Sequence, residues 1–167
     1  QAKQAVQAAY DHKGPVYIRT TRPDTPVFTT EIPFEIGKAY VYREGKDITI
    51  CACGIQVYDS LMIAEELAKE KIDVEVINVS SIKPLDEATI LASVKKTGKL
   101  ITIEDHQVAG GMGSAITEML SEKYPILIKR IGINDRFGYS GTYEDVYSKV
   151  GLDLASLKKA VVDWFHE

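Results

Sequence analysis

Two cysteines, Cys51 and Cys53, are all that the 167 residues contain. They lie one residue apart in an apolar run, so on a strand both would point to the same face. A disulfide between them would be strained, and the pair reads as two buried thiols in a reducing cytosol. A metal site would need more ligands close by, and the sequence offers none. Long apolar runs are also missing: nothing approaches the roughly 20 residues that span a bilayer. No charged start followed by an apolar stretch is visible, so a cytoplasmic location with no membrane partner is expected. An excess of Lys and Arg is absent too. The formal net charge of -4 argues against nucleic acid or an anionic surface as partner. There is no internal repeat and no low-complexity tract.

What is present is ordinary for a globular domain: 45% hydrophobic and 26% charged residues. The length suits one domain with a small appendage. The first residue is Gln1, and residues 2–10 read as an alanine-rich helix already under way. A fragment of a longer chain is expected.

His12-Lys13-Gly14-Pro15 stops that helix. A β-rich run follows at residues 16–21, and Arg22-Pro23-Asp24-Thr25-Pro26 breaks it. Residues 27–37 read as an irregular connection. A second unit then begins, with strands expected at 39–45 and 47–54. An amphipathic helix fits 55–71, where Val57, Leu61, Ile63, Ala64 and Leu67 recur at helical spacing. A strand at 74–79 precedes a helix at 87–96, which Asp86 can cap. Then come a strand at 100–103, a helix at 111–123, a strand at 126–133, and helices at 142–150 and 154–164. This alternation predicts a three-layer α/β fold, a mainly parallel sheet with helices on both faces. Near-continuous apolar strands suit burial on both faces.

The segment from Ile101 to Ile116 carries the densest chemistry. An apolar run ends in Glu104-Asp105-His106, and Gly110, Gly111 and Gly113 follow before a helix starts. Sites in α/β proteins form at such carboxyl ends. The segment could be a phosphate cradle, a catalytic cluster or a tight turn. As a dinucleotide fingerprint it fails twice: Ile116 stands where a small residue belongs, and the segment comes late in the alternation. Asp or Glu beside His can orient an imidazole for proton transfer. A polar loop facing solvent or a partner is the alternative, with acids favoured near a helix N-terminus. Arg22, at the end of a β-rich run, can offer a bidentate fork to phosphate or carboxylate, or simply pair with an acid. From Arg136 to Asp145, Ser140 or Thr142 can cap a helix and Glu144 and Asp145 suit its first turn, so catalysis is not needed there.

Taken together, these motifs resemble the C-terminal portion of transketolase. The carriers are Gly14-Pro15-Val16-Tyr17-Ile18-Arg19-Thr20-Thr21-Arg22-Pro23-Asp24, Ile82-Lys83-Pro84-Leu85-Asp86, and Ile103-Glu104-Asp105-His106 with Gly110-Gly111-Met112-Gly113. Ser140-Gly141 leading to Gly151-Leu152-Asp153 completes the order. The resemblance covers nearly the whole chain. It implies that residues 1–30 are the tail of a pyrimidine-binding domain, 31–38 a linker, and 39–167 the family's C-terminal domain. It implies transfer of a two-carbon ketol unit between sugar phosphates, using thiamine diphosphate and a divalent metal, Mg or Ca. The cofactor contacts would come from the missing N-terminal and pyrimidine-binding domains. This part would support a homodimer and be inactive alone, with no catalytic residue and no metal ligand of its own. Arg22 would hold the phosphate of the sugar substrate. Glu104, Asp105, His106, Gly110, Gly111 and Gly113 would form an interface or loop. Deoxyxylulose-phosphate synthases and the β subunits of 2-oxo-acid dehydrogenases share the architecture, and a non-catalytic assembly domain is the remaining alternative.

Overall fold

A computed structural model describes residues 1–21, 24–28 and 32–167. Five strands form one sheet: β1 (Tyr40–Arg43), β2 (Ile48–Ala52), β3 (Val74–Asn78), β4 (Leu100–Gln107) and β5 (Ile128–Ile133). Six helices are described: α1 (Ala2–Asp11), α2 (Gln56–Lys69), α3 (Glu87–Thr97), α4 (Met112–Lys123), α5 (Tyr143–Val150) and α6 (Leu154–His166). The strand order is β1-β3-β2-β4-β5. Among the described residues only the β1–β3 pairing is antiparallel; the other three are parallel.

Strand alternation separates two cores. Ile48, Ile50, Ile101 and Ile103 pack with Ile63 and Leu67 of α2, Tyr147 of α5, and Leu157 and Val161 of α6. Cys51, Ile77 and Leu100 pack with Ile90 and Val94 of α3 and with Met112, Ile116 and Leu120 of α4. Helices therefore cover both faces, and β2 and β3 are buried along their whole length. That is why these strands are mostly apolar, with Thr49, Glu75 and Asn78 buried among the apolar residues. Three helices start on a side-chain cap. Asp86 accepts the Thr89 N–H, Thr142 the Asp145 N–H and Asp153 the Ser156 N–H.

Two expectations need correction. Residues 16–21 form no strand; no backbone among the described residues pairs with them. A β-rich sequence becomes a strand only when a second backbone satisfies its N–H and C=O groups. And β4 does not stop at 103. It runs to Gln107, which pairs with Ile133 across a register irregularity. Glu104, Asp105 and His106 are therefore strand residues, not a loop. The polar side chains hid the strand because Glu104 is buried and partnered rather than solvated.

The N-terminal segment returns to the carboxyl ends of the strands. Helix α1 buries no residue. The Gln1 side chain donates to Tyr42 Oη at 3.0 Å and accepts from Asn78, the last residue of β3, at 2.9 Å. Farther on, the Gly37 N–H donates to Ser81 Oγ at 2.9 Å and the buried Ala39 N–H to Asp86 at 3.1 Å.

Candidate functional site

Chain connections leave β2 for β3 on one side and β4 for β5 on the other. The carboxyl ends of β2 and β4 thus flank the topological switch point, where open α/β sheets form their ligand crevice. Glu104 stands there on the face towards α4. It is 2% exposed. Its Oε2 accepts the Met112 N–H at 2.7 Å and its Oε1 accepts the Gly113 N–H at 2.8 Å. A helix start leaves its first N–H groups without intrahelical partners and favours negative charge. Glu104 answers both needs.

The glycines make room for it. A Cβ on Gly111 would collide with the Glu104 carboxylate and the Gln107 carbonyl, and one on Gly113 would collide with Thr102 Oγ1. Gly110 adopts φ 74°, in the left-handed region. Its N–H donates to Ser114 Oγ at 3.0 Å, and Ser114 Oγ donates to the Val108 carbonyl at 2.8 Å. Arg130 donates to the same hydroxyl at 2.9 Å. The turn resembles a phosphate cradle in sequence, but a carboxylate of the chain already occupies the position of the phosphate.

Asp105 points to the opposite face, beside Tyr147. The Tyr147 hydroxyl is buried and finds no hydrogen-bond partner among the described residues. Burial, then the neighbouring Tyr143 hydroxyl and the Asp105 carboxylate, hold its pKa above the usual tyrosine value. The Tyr143 and Tyr147 rings stack with centroids 4.0 Å apart. Asp59, in the first turn of α2, is pushed up to about 6 by burial. His106 is exposed, and its Nδ1 lies 3.1 Å from the Gln107 carbonyl.

The cysteines carry no nucleophile. Burial drives the Cys51 thiol far up and, with help from Glu104, pushes Cys53 up to about 12. Thr142 caps α5 at 3.3 Å from the Asp145 N–H, which accounts for part of the 136–145 segment. Before it, Gln107 Oε1 accepts the Asp135 N–H at 3.0 Å, and Gln107 Nε2 donates to the Arg136 carbonyl at 3.5 Å.

The structure therefore unites Glu104 with Gly111 and Gly113, and separates Glu104, Asp105 and His106 from one another. Arg22 lies outside the described residues. Sequence reasoning missed Gln107 as the tie to the next loop and Tyr147 as a buried hydroxyl. A Glu placed just before a glycine-rich helix start was the available signal for the cap. Among the described residues no group of three or more His, Cys, Asp or Glu is placed to hold a metal ion. No described helix is long and apolar enough to cross a membrane. Two shallow depressions, of about 310 and 370 Å³, are lined by residues around Lys71 and around Asp145, not by Glu104, Asp105 or His106.

Comparison with known proteins is consistent with this architecture. The family described as Transketolase, C-terminal domain, matches residues 37–157. The chain is 42% identical to the 6-deoxy-6-sulfo-D-fructose transketolase subunit SqwH of Clostridium sp., over 96% of this chain and 50% of that protein. It is 33% identical to one of the apulose-4-phosphate transketolase subunits of Phocaeicola vulgatus, over 98% of this chain and 53% of that protein. It is 38% identical to the 1-deoxy-D-xylulose-5-phosphate synthase of Desulfotalea psychrophila, over 98% of this chain and 26% of that protein. A solved structure titled as a split gene transketolase, inactive beta4 tetramer, superposes with a TM-score of 0.92 at 41% identity. That match covers 98% of this chain and 54% of the other. The chain spans about half the length of the first curated relatives it matches. It belongs to the transketolase C-terminal domain family.

Proposed function

We propose that this chain is the C-terminal part of a transketolase, which moves a two-carbon ketol unit between sugar phosphates. The observation that carries the reading is the match to transketolase subunits over nearly all of this chain but only about half of theirs. Residues 1–30 would end the pyrimidine-binding domain, 31–38 would link, and 39–167 would form the C-terminal domain. The family match beginning at residue 37 supports that division.

In the complete enzyme, thiamine diphosphate with a divalent metal would supply the carbanion chemistry. The described residues do not fit that group. The glycine-rich start of α4 has its free N–H groups taken by Glu104, whose charge would repel a diphosphate. Cofactor contacts therefore belong to the upstream half, in one chain or as a separate subunit. This part would carry the fold and a homodimer contact, in the cytoplasm, and be inactive alone. The neighbour titled an inactive beta4 tetramer favours that last point. Arg22 would hold a sugar phosphate while the carbonyl end reacts elsewhere.

The test is ketol transfer by the chain alone and by the parent supplied with thiamine diphosphate and Mg. Activity is expected only in the parent. Arg22→Ala in the parent should weaken sugar-phosphate use by about 1.5–3 kcal/mol, the range for a hydrogen bond to a charged group. Unchanged sugar-phosphate kinetics would remove Arg22 from the site. A second reading, part of a deoxyxylulose-phosphate synthase, is favoured by the Desulfotalea match. Formation of 1-deoxy-D-xylulose 5-phosphate in place of ketol transfer would select it.

A further inference from the structure

The segment read as a linker is tied down on both sides of the sheet. Phe28 stands on the α2 side, where it packs against the core. Its ring meets Tyr42 of β1 edge-on, with centroids 6.1 Å apart, and Tyr58 of α2 at 5.7 Å. Ala39 belongs to the opposite core, with Cys51, Ile77 and Ile90.

At the second landing the backbone is held by the β3–α3 connection. The Gly37 N–H donates to Ser81 Oγ at 2.9 Å, and that hydroxyl donates to the Pro84 carbonyl at 3.0 Å. The Ala39 N–H donates to Asp86 Oδ2 at 3.1 Å. The Lys38 N–H closes a turn onto the Glu35 carbonyl at 3.2 Å. Ser81 and Asp86 are each 8% exposed and Ala39 is 5% exposed. An amide pulled from a buried acceptor there loses its bond without gaining water in return. Gly37 fits the close approach. It adopts φ 84°, and a Cβ on it would stand 3.0 Å from Pro84 Cγ.

Asp86 serves two structures with one carboxylate. It holds Ala39, and it caps α3 by accepting the Thr89 N–H at 3.2 Å and the Thr89 hydroxyl at 2.9 Å. Lifting the chain at Ala39 therefore disturbs the cap, and fraying of α3 loosens the hold on Ala39. A flexible tether would carry none of these ties. We propose that residues 32–39 form a latched strap, closed on the β3–α3 connection by Ser81 and Asp86 and opening only together with the first turn of α3. Phe28 fixes the other end. The proposal rests on reading residues 31–38 as a linker within a larger enzyme.

Amide hydrogen exchange in that parent, resolved to single residues by fragmentation mass spectrometry, tests the strap. Ala39 and Thr89 are expected to exchange with matching protection, as one cooperative unit. Ser81→Ala should speed exchange at Gly37 roughly tenfold, as loss of one hydrogen bond does, and leave Thr89 unchanged. Asp86→Asn keeps a single side-chain oxygen, so either Ala39 or Thr89 should exchange roughly tenfold faster. Exchange of Gly37 and Ala39 at the rate of a free peptide would overturn the proposal. So would protection of Ala39 that differs from that of Thr89, or a Ser81→Ala variant that leaves Gly37 unchanged or speeds every amide equally. Ketol transfer is assayed on the same preparation. An inactive parent whose strap exchanges as expected sinks the functional reading alone, and an active parent with a freely exchanging linker sinks the strap alone.

Discussion

Glu104 is the residue whose environment most changes its meaning. In sequence it is one of two acids beside a histidine. In the fold it is an internal anion, and removing it leaves two backbone donors at the start of α4 unsatisfied. Glu104→Ala should cost about 1–3 kcal/mol of unfolding free energy, the range for orphaning buried polar groups. Denaturant titration at constant m-value would measure it. Asp59 gives a pH signature of opposite sense to most carboxylates. Burial raises its folded pKa to about 6, above the roughly 3.9 of an unfolded Asp. Between those values the folded state binds more protons, so this group's effect on stability worsens as pH rises from about 4 to about 6. Asp59→Asn should remove that loss. The stability difference between variant and wild type should therefore grow in the variant's favour across the window; a flat difference would mean that Asp59 is solvated.

Among the elements, the caps were legible and the edges were not. Asp86 sits where a capping residue belongs, and it does more than cap. Burial would raise its pKa, but the Ala39 and Thr89 N–H groups and the Thr89 hydroxyl outweigh burial and leave it below the ordinary value. Asp153 is lowered by the Ser156 hydroxyl and N–H. Both contribute stability that is present above the unfolded pKa and lost as pH falls through the lower folded value. Asp153→Ala should cost about 0.5–2 kcal/mol at neutral pH, as cap deletions do, and less in acid. Asp86→Ala should cost more, because Ala39 also loses its acceptor. The apolar periods of β2, β3 and α2 were readable because burial fixes them locally. The 16–21 run and the end of β4 were not. The first depends on whether a second backbone is present, and the second on a carboxylate partnered by amides eight and nine residues away. No local pattern carries either fact.

For the whole molecule, the division of labour follows from which surfaces are complete. The sheet and its two cores are closed by the chain itself, while the carboxyl edge carries a hydroxyl with no partner among the described residues and open aromatic rings. Catalysis would then belong to the assembled parent, and the C-terminal unit would contribute rigidity rather than reacting groups. Glu104 sets one more property. A helix start that waits for a phosphate is stabilised in proportion to how much phosphate is present. Here the anion is covalently part of the chain, so its supply never varies. Millimolar phosphate or thiamine diphosphate should leave the Tm of the isolated chain where an equal ionic strength of chloride leaves it. A ligand-dependent rise would mean that Glu104 can be displaced. The unit's folding is thereby uncoupled from metabolite levels.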